Sequence, residues 1–320
     1  PYPPAPGVER VLKEMDTDRF RLYPDPTADE LVGSLADYYG VGKDQVFVGV
    51  GSDDVLAVAF MTFFNGKKPI FFPDITYSFY PVWAELFGIP YEKKAVNDAF
   101  EIQKEDYYAE NGGVVFPNPN APTGAFLSLE VVEDIIQHNQ DVVVIVDEAY
   151  IDFGGDTAKE LTRKYDNVLV VQTYSKSRSL AGLRIGYAIG NKELIKAMND
   201  VKYSYNSYTM NEPSIVLGTA VLEDEEYFQE TRNKIIDTRE WFQTEMRKIG
   251  FSFADSKANF IFATHESVPA KEIFEAAKKA KIYVRYFDQP RINNYLRITI
   301  GTREEMETLL DFLKEFTATK

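Results

Sequence analysis

The stretch that decides the fold is QTYSKSRSLAGLRIGYAIG, residues 172–190. A single lysine, Lys176, stands between two serines, and the triplet Gly182, Leu183, Arg184 follows. The apolar residues on either side, 168–171 and 187–189, read as two short buried strands. That places the lysine on a connection at a strand end, where open α/β sheets hold ligands. A lysine there can form a Schiff base with a carbonyl once its amine is freed. Ser175 and Arg184 add a hydroxyl and a fixed positive charge, a pair suited to a phosphate. An isolated Ser-Lys dipeptide is usually exposed surface. Joined to a phosphate clamp, it points to pyridoxal phosphate (PLP).

Composition narrows the alternatives. The 320 residues suit one large and one smaller domain, and 45% hydrophobic content supports a sizeable core. There are no cysteines, which excludes disulfides, thiolate metal sites and thiol nucleophiles. The two histidines, His138 and His265, stand in no recognisable catalytic or metal motif. The net charge of −15 argues against nucleic acid or an anionic membrane as partner. An anionic substrate must then be caught by local arginines. No apolar run reaches the length of a membrane span and no signal peptide is visible, so a cytoplasmic enzyme is expected. The abrupt opening PYPPAPGV reads as the continuation of a further upstream segment.

Along the chain, strands alternate with helices. Residues 1–6 form an extended proline arm, 8–15 a short helix, and 27–39 a helix with Thr27 as its cap. A strand over 45–50 runs into Gly51-Ser52-Asp53-Asp54 and an apolar helix, so Ser52 and Asp53 present the free N–H groups of a helix start. The spacing lacks the third glycine and the ribose-binding acid of a dinucleotide fingerprint. After a strand over 69–72 comes Tyr77, placed to stack on a planar ring, although aromatics there are more often core. A strand over 114–116 ends in Asn118-Pro119-Asn120-Ala121-Pro122-Thr123-Gly124, a rigid loop whose asparagines can bond a ligand oxygen. Residues 128–139 read as a helix. Residues 141–147 are the strongest strand: Val142, Val143, Val144, Ile145 and Val146 run unbroken into Asp147, the pattern of a central parallel strand. A carboxylate at that edge needs a cation, either a protonated pyridine or an arginine of the protein. Tyr150 lies within reach of the same ligand. A short helix over 192–198, a polar aromatic connection over 201–211 and helices over 214–222 and 224–249 follow. The remainder is an α+β layer, with strands at 251–253, 260–263, 283–285 and 295–300 and helices at 269–280 and 303–316. Arg285 and Arg297 sit on its apolar strands, where each needs an anion, from a ligand or from an internal acid.

The motifs PYPPAP, LYPDP, GSDDV, TYSFY, NPNAPTG, VDEAY, TYSKSRSLAGLRIGYAIG and LRITIGT stand in an order that resembles the fold type I PLP-dependent aminotransferases. They are most similar to the histidinol-phosphate branch of that family. The resemblance covers the whole chain. It implies an α/β fold, with a large domain built on a mixed, mostly parallel seven-stranded sheet between helices and a smaller α+β C-terminal domain. The expected division is an arm and short helix over 1–22, a large PLP-binding domain over 23–212 and a small domain over 213–320. The resemblance further implies that Lys176 holds the PLP aldehyde and later moves protons as general base and acid, that Asp147 pairs with the ring nitrogen, and that Tyr150 bonds the ring oxygen O3′. Tyr77 would stack on the ring. Backbone N–H groups of Ser52 and Asp53, with Thr173, Ser175 and Arg184, would grip the cofactor phosphate. Tyr23 would reach the phosphate of a neighbouring subunit in a homodimer with a shared active site. Arg297 would bind the substrate carboxylate, and Arg285, with Tyr2, the substrate's distal phosphate. The asparagine that usually precedes Pro-Thr-Gly is Ala121 here, so either Asn120, one residue earlier, takes over the O3′ contact or the contact is lost. The implied reaction moves an amino group between L-histidinol phosphate and 2-oxoglutarate. The alternatives are an aromatic or broad-specificity aminotransferase and a threonine-phosphate decarboxylase.

Overall fold

The β-branched runs become a seven-stranded sheet in the computed structural model of the chain, which describes residues 1–319. Its strands are β1 (Val46–Val50), β2 (Ile70–Pro73), β3 (Tyr91–Lys94), β4 (Val114–Pro117), β5 (Val144–Asp147), β6 (Val168–Thr173) and β7 (Ile185–Gly190). They lie in the order β1-β7-β6-β5-β4-β2-β3. The pairings among β2 to β6 are parallel, and β7 is antiparallel to both β6 and β1. Every strand except β7 therefore ends at the same edge of the sheet, and β7 begins there. The expected mixed, mostly parallel α/β sheet is the one formed.

Both faces of the sheet are buried, as a parallel sheet requires. Side chains alternate across it with a period of two. Val144 and Val146 of β5 and Val168 and Val170 of β6 pack with Val132, Ile135 and Ile136 of helix α5 (Leu129–Gln137). Ile145, Leu169 and Val171 face the other way, onto α3 (Ser52–Phe63) and α4 (Phe79–Phe87) through Val55, Phe60 and Tyr80. Each such side chain contributes roughly 1.5–3 kcal/mol on burial. The same alternation carries Asp147 to the face of Ile145, beneath α3 and α4. The earlier helices are α1 (Pro6–Glu14) and α2 (Asp29–Tyr39), and the later ones α6 (Lys192–Tyr205), α7 (Glu212–Glu223) and α8 (Glu225–Lys248). Helices α1, α2 and α7 close over β1 and β7 through Val8, Leu31, Leu35, Ile215 and Val221. The last part of the chain forms a four-stranded sheet, β10-β11-β9-β8, from β8 (Phe251–Ser252), β9 (Phe260–His265), β10 (Arg285–Tyr286) and β11 (Leu296–Thr299), with α9 (Ala270–Lys279) and α10 (Arg303–Ala318). Among the described residues no helix is long and apolar enough to cross a membrane.

The strand expected at 283–285 is Arg285–Tyr286, and Pro6 starts α1 rather than ending the extended arm; four further local readings also differ. Helix α2 is not capped by Thr27: the Asp25 carboxylate accepts from the backbone N–H groups of Thr27 and Asp29, at 2.9 and 2.8 Å. Strand β5 begins at Val144, because Val142 and Val143 only lead into it. Strand β3 (YEKK) escaped notice because its polar side chains give no apolar signal. Helix α6 runs to Tyr205, seven residues beyond the expected end at Met198. Burial of Lys202, whose ammonium lies 5.2 Å from the Phe47 ring, holds that extra length on the core.

Candidate active site

The carboxyl ends of β1, β5 and β6 and the start of β7 converge on a cavity of about 160 Å³. Ser52, Asp53, Tyr77, Asp147, Tyr150, Ser175, Lys176 and Arg184 line it, and these are eight of the positions singled out from the sequence.

One wall is built for an anion. Gly51 takes a left-handed φ of 85° and starts α3 with no side-chain cap, so the first N–H groups of the helix lack partners within it. A Cβ on Gly51 would stand 2.5 Å from the Arg184 guanidinium, and one on Gly186 would stand 2.3 Å from the Ser52 nitrogen. Two glycines thus let the helix start, β7 and Arg184 close on one another. Arg184 is itself left-handed (φ 53°), which swings its guanidinium back over this turn to 3.5 Å from Asp53 Oδ2. Asp53 Oδ1 accepts a 2.7 Å hydrogen bond from the Tyr77 hydroxyl. Ser175 is braced from behind: its N–H donates to Thr173 Oγ1, which donates in turn to the Ile185 carbonyl.

Asp147 lies at the floor and is 4% exposed. The Tyr80 hydroxyl donates to its Oδ2 at 2.8 Å and the Ala149 N–H to its Oδ1 at 3.3 Å. Among the described residues no lysine or arginine forms an ion pair with it. Burial pushes its carboxyl up to about 6, against the hydrogen bond from Tyr80. The alternative of an arginine within the protein is therefore not realised, and the acid faces the cavity without a cation. Lys176 Nζ stands 5.2 Å from the centre of the Tyr150 ring, which is held edge-on by Phe260 at 5.0 Å.

A second recess of about 380 Å³ adjoins the first and shares Tyr77 and Ala121 with it. Arg285 and Arg297 line it, directly opposite each other in the register of β10 and β11. Like charges so placed repel. Neither has an acidic partner among the described residues, and the buried Nε of Arg297 has no hydrogen-bond acceptor. Aromatic faces flank both: Arg297 lies 5.3 Å from the Phe260 ring, and Arg285 lies 5.4 Å from that of Phe287.

Four expected positions lie outside these cavity walls. Asn120 is turned away, its amide donating to the Ile75 carbonyl and to Thr123 Oγ1 at 2.9 Å each, and Ala121 is the residue that faces both recesses. Thr173 is the brace described above. Tyr23 is 81% exposed, its ring 4.7 Å from that of Tyr208. Tyr2 packs at the edge of the C-terminal core, with Lys234 Nζ 5.7 Å from its ring. The sequence alone gives no role to Tyr80, although its place three residues after Tyr77, where α4 begins, is a usable signal.

The fit to PLP is chemical. The cavity offers an amine, a helix start joined by arginine and serine, and a buried acid lacking a counter-ion. These suit an aldehyde, a phosphate and a ring N–H. The sequence profile described as "Aminotransferase class I and II" matches residues 3–313. A histidinol-phosphate aminotransferase of Clostridium botulinum (strain Okra / Type B1) is 50% identical over 315 residues, covering 98% of this chain and 89% of that one. Its counterpart in Lactococcus lactis subsp. cremoris (strain MG1363) is 50% identical over 320 residues, covering 100% and 90%. The crystal structure of histidinol-phosphate aminotransferase from Sinorhizobium meliloti in complex with pyridoxal-5′-phosphate superposes with a TM-score of 0.88 at 21% identity, covering 99% and 88%, and shows the common fold. The chain belongs to the class I and II aminotransferases, in the histidinol-phosphate aminotransferase branch. It is a PLP-dependent transaminase.

Proposed function

We propose that this chain moves an amino group between L-histidinol phosphate and 2-oxoglutarate, as a step of histidine biosynthesis. The observation that carries the substrate class is the opposed pair Arg285 and Arg297. Two guanidiniums without acidic partners, beside the Lys176 cavity, suit a substrate with a phosphate in one half-reaction and a carboxylate in the other. Histidinol phosphate has no carboxylate, so Arg297 would serve glutamate in one half and the phosphate in the other, with Arg285 assisting.

Bound PLP supplies an aldehyde that takes up the amino group and a protonated ring that withdraws electrons from the reacting carbon. The residues around it divide the remaining work. Lys176 would hold the cofactor through Nζ and, once released, carry the proton from the substrate Cα. Asp147 would keep the proton on the ring nitrogen. Tyr150 would bond the ring oxygen, and Tyr77 would cover one face of the ring. The Ser52 and Asp53 N–H groups, Ser175 and Arg184 would hold the phosphate, with Thr173 keeping Ser175 in place. Tyr23, exposed on its own protomer, fits a contact to the cofactor phosphate of a second protomer in a homodimer, and Tyr2 a place at the substrate entrance. We also propose a large cofactor-binding domain over 23–212 and a small domain over 213–320, and a cytoplasmic location.

A substrate panel tests the reading. Purified protein with PLP is offered histidinol phosphate, phenylalanine, tyrosine and threonine phosphate against 2-oxoglutarate, and glutamate is measured. Histidinol phosphate should give the highest kcat/KM. Glutamate from an aromatic amino acid but not from histidinol phosphate would overturn the assignment.

A further inference from the structure

Tyr80 stands in the first turn of α4 and is completely buried. Phe60, Phe72, Tyr77 and Trp83 enclose its ring, at centroid distances of 6.1, 5.9, 5.8 and 6.3 Å. With the ring fixed on all sides, the hydroxyl has one direction to point, and it meets Asp147 Oδ2 at 2.8 Å. Burial raises the Tyr80 phenol far above its ordinary range, and the nearby Asp147 charge raises it further. The hydroxyl therefore stays a donor at every working pH. A carboxylate offers about four acceptor sites, of which Tyr80 and the Ala149 N–H occupy two. The others are left for whatever enters the cavity that Asp147 lines.

We propose that Tyr80 is a positioning residue for the cofactor: its hydroxyl fixes the orientation of the Asp147 carboxylate, so that a free lone pair meets the ring N–H of PLP. The inference rests on the reading that Asp147 receives that N–H. Tyr80 touches neither cofactor nor substrate and acts through Asp147. A tyrosine serves where a lysine or arginine could not, because a second cation would neutralise the acid and compete with the ring.

The test separates the inference from the reading beneath it. Cofactor-stripped wild type and Tyr80→Phe are each titrated with PLP and with 1-deaza-PLP, in which a carbon replaces the ring nitrogen. Wild type should bind PLP more tightly than the analogue. Y80F should lose roughly tenfold in affinity for PLP, the scale of one hydrogen bond to a charged group, and less than about twofold for the analogue. A variant that keeps the wild-type ratio of the two affinities overturns the role of Tyr80, whether both affinities are unchanged or both fall together. A wild type that does not distinguish the two cofactors overturns the reading of Asp147 itself. The ratio is taken within one protein, so a misfolded fraction of Y80F cancels from it.

Discussion

Asp147 and Glu148 are neighbours in the chain, both buried, and they differ in what their surroundings complete. Glu148 is fully provided for. Its Oε1 accepts from the Ala158 N–H at 2.6 Å, and its Oε2 from the Thr157 hydroxyl at 2.6 Å and the Gln172 amide at 2.7 Å. Gln172 is held in turn by the hydroxyls of Tyr39 and Tyr187. Asp147, on the other side of the strand end, has two donors and an open cavity. Burial lifts both carboxyls, to about 7 for Glu148 and about 6 for Asp147. One desolvated acid is closed off inside the fold, and the other lines a cavity. The arginines repeat the contrast. Arg239 is 1% exposed and donates to the carbonyls of Phe153 and Ala258 at 2.8 and 2.7 Å, whereas Arg297 keeps a buried Nε with no acceptor. In these two pairs, the charge satisfied within the protein belongs to the architecture, and the charge left open lines a cavity.

The contrast can be broken at four points. The largest effect is expected from Asp147→Asn. Transaminase kcat should fall by about a thousandfold or more, because a charge that stabilises the reacting system is gone. The thermal midpoint of the cofactor-free protein should not fall, because a desolvated charge has also gone. A midpoint lowered by many degrees would make Asp147 a structural acid like its neighbour. Next is Arg297→Met. Steady-state kinetics should show KM for glutamate rising roughly a hundredfold, with the folded protein as stable as before, since a like-charge repulsion is relieved and one charged hydrogen-bonding partner is lost to substrate.

The reverse substitution test is Glu148→Gln. It turns one acceptor into a donor facing other donors, and urea unfolding should show a loss of about 1–3 kcal/mol while kcat stays within about tenfold. The last point is the pH dependence. A native carboxyl raised above its unfolded value holds a proton that the unfolded chain has released. For Asp147 and Glu148, cofactor-free stability should thus decline as pH rises from about 4 to 7, the reverse of ordinary acid unfolding. The proposed pairing with the ring cation needs ionised Asp147. PLP affinity should therefore be full above pH 6 and fall by up to about tenfold per unit below it, a break that Asp147→Asn should lack.

Much of this was legible in the sequence, for reasons that vary by residue. Asp147 declared itself because five β-branched residues ran into it, and such a strand leaves its last side chain no escape from burial. Arg285 and Arg297 stood out against apolar strands, but their mutual opposition depends on the β10–β11 register, which periodicity alone does not give. Glu148 reads no differently from Asp147 in one dimension; only the pleat separates them. A loop dense in prolines conceals which side chain faces inward, so the sequence leaves open what the structure shows, Asn120 turned away and Ala121 on the cavity wall. Tyr80 was missed since a buried aromatic near a helix start is most often packing, and here it is packing and hydrogen-bond donor together. Strand β3 is polar because it forms the sheet margin, where pairing comes from the backbone.

The position of β1 has a consequence for the order of events in assembly. It is the first strand of the sheet to be synthesised, yet it pairs with β7, the last. The turn after β1 lies against Gly186 of β7, so the two halves of the proposed phosphate grip come from distant parts of the chain. Without β7 between β6 and β1, the wall proposed to hold the cofactor phosphate is incomplete. If that wall holds the cofactor phosphate, as proposed, capture would have to follow completion of the sheet, and a chain truncated before residue 185 should fail to retain the cofactor.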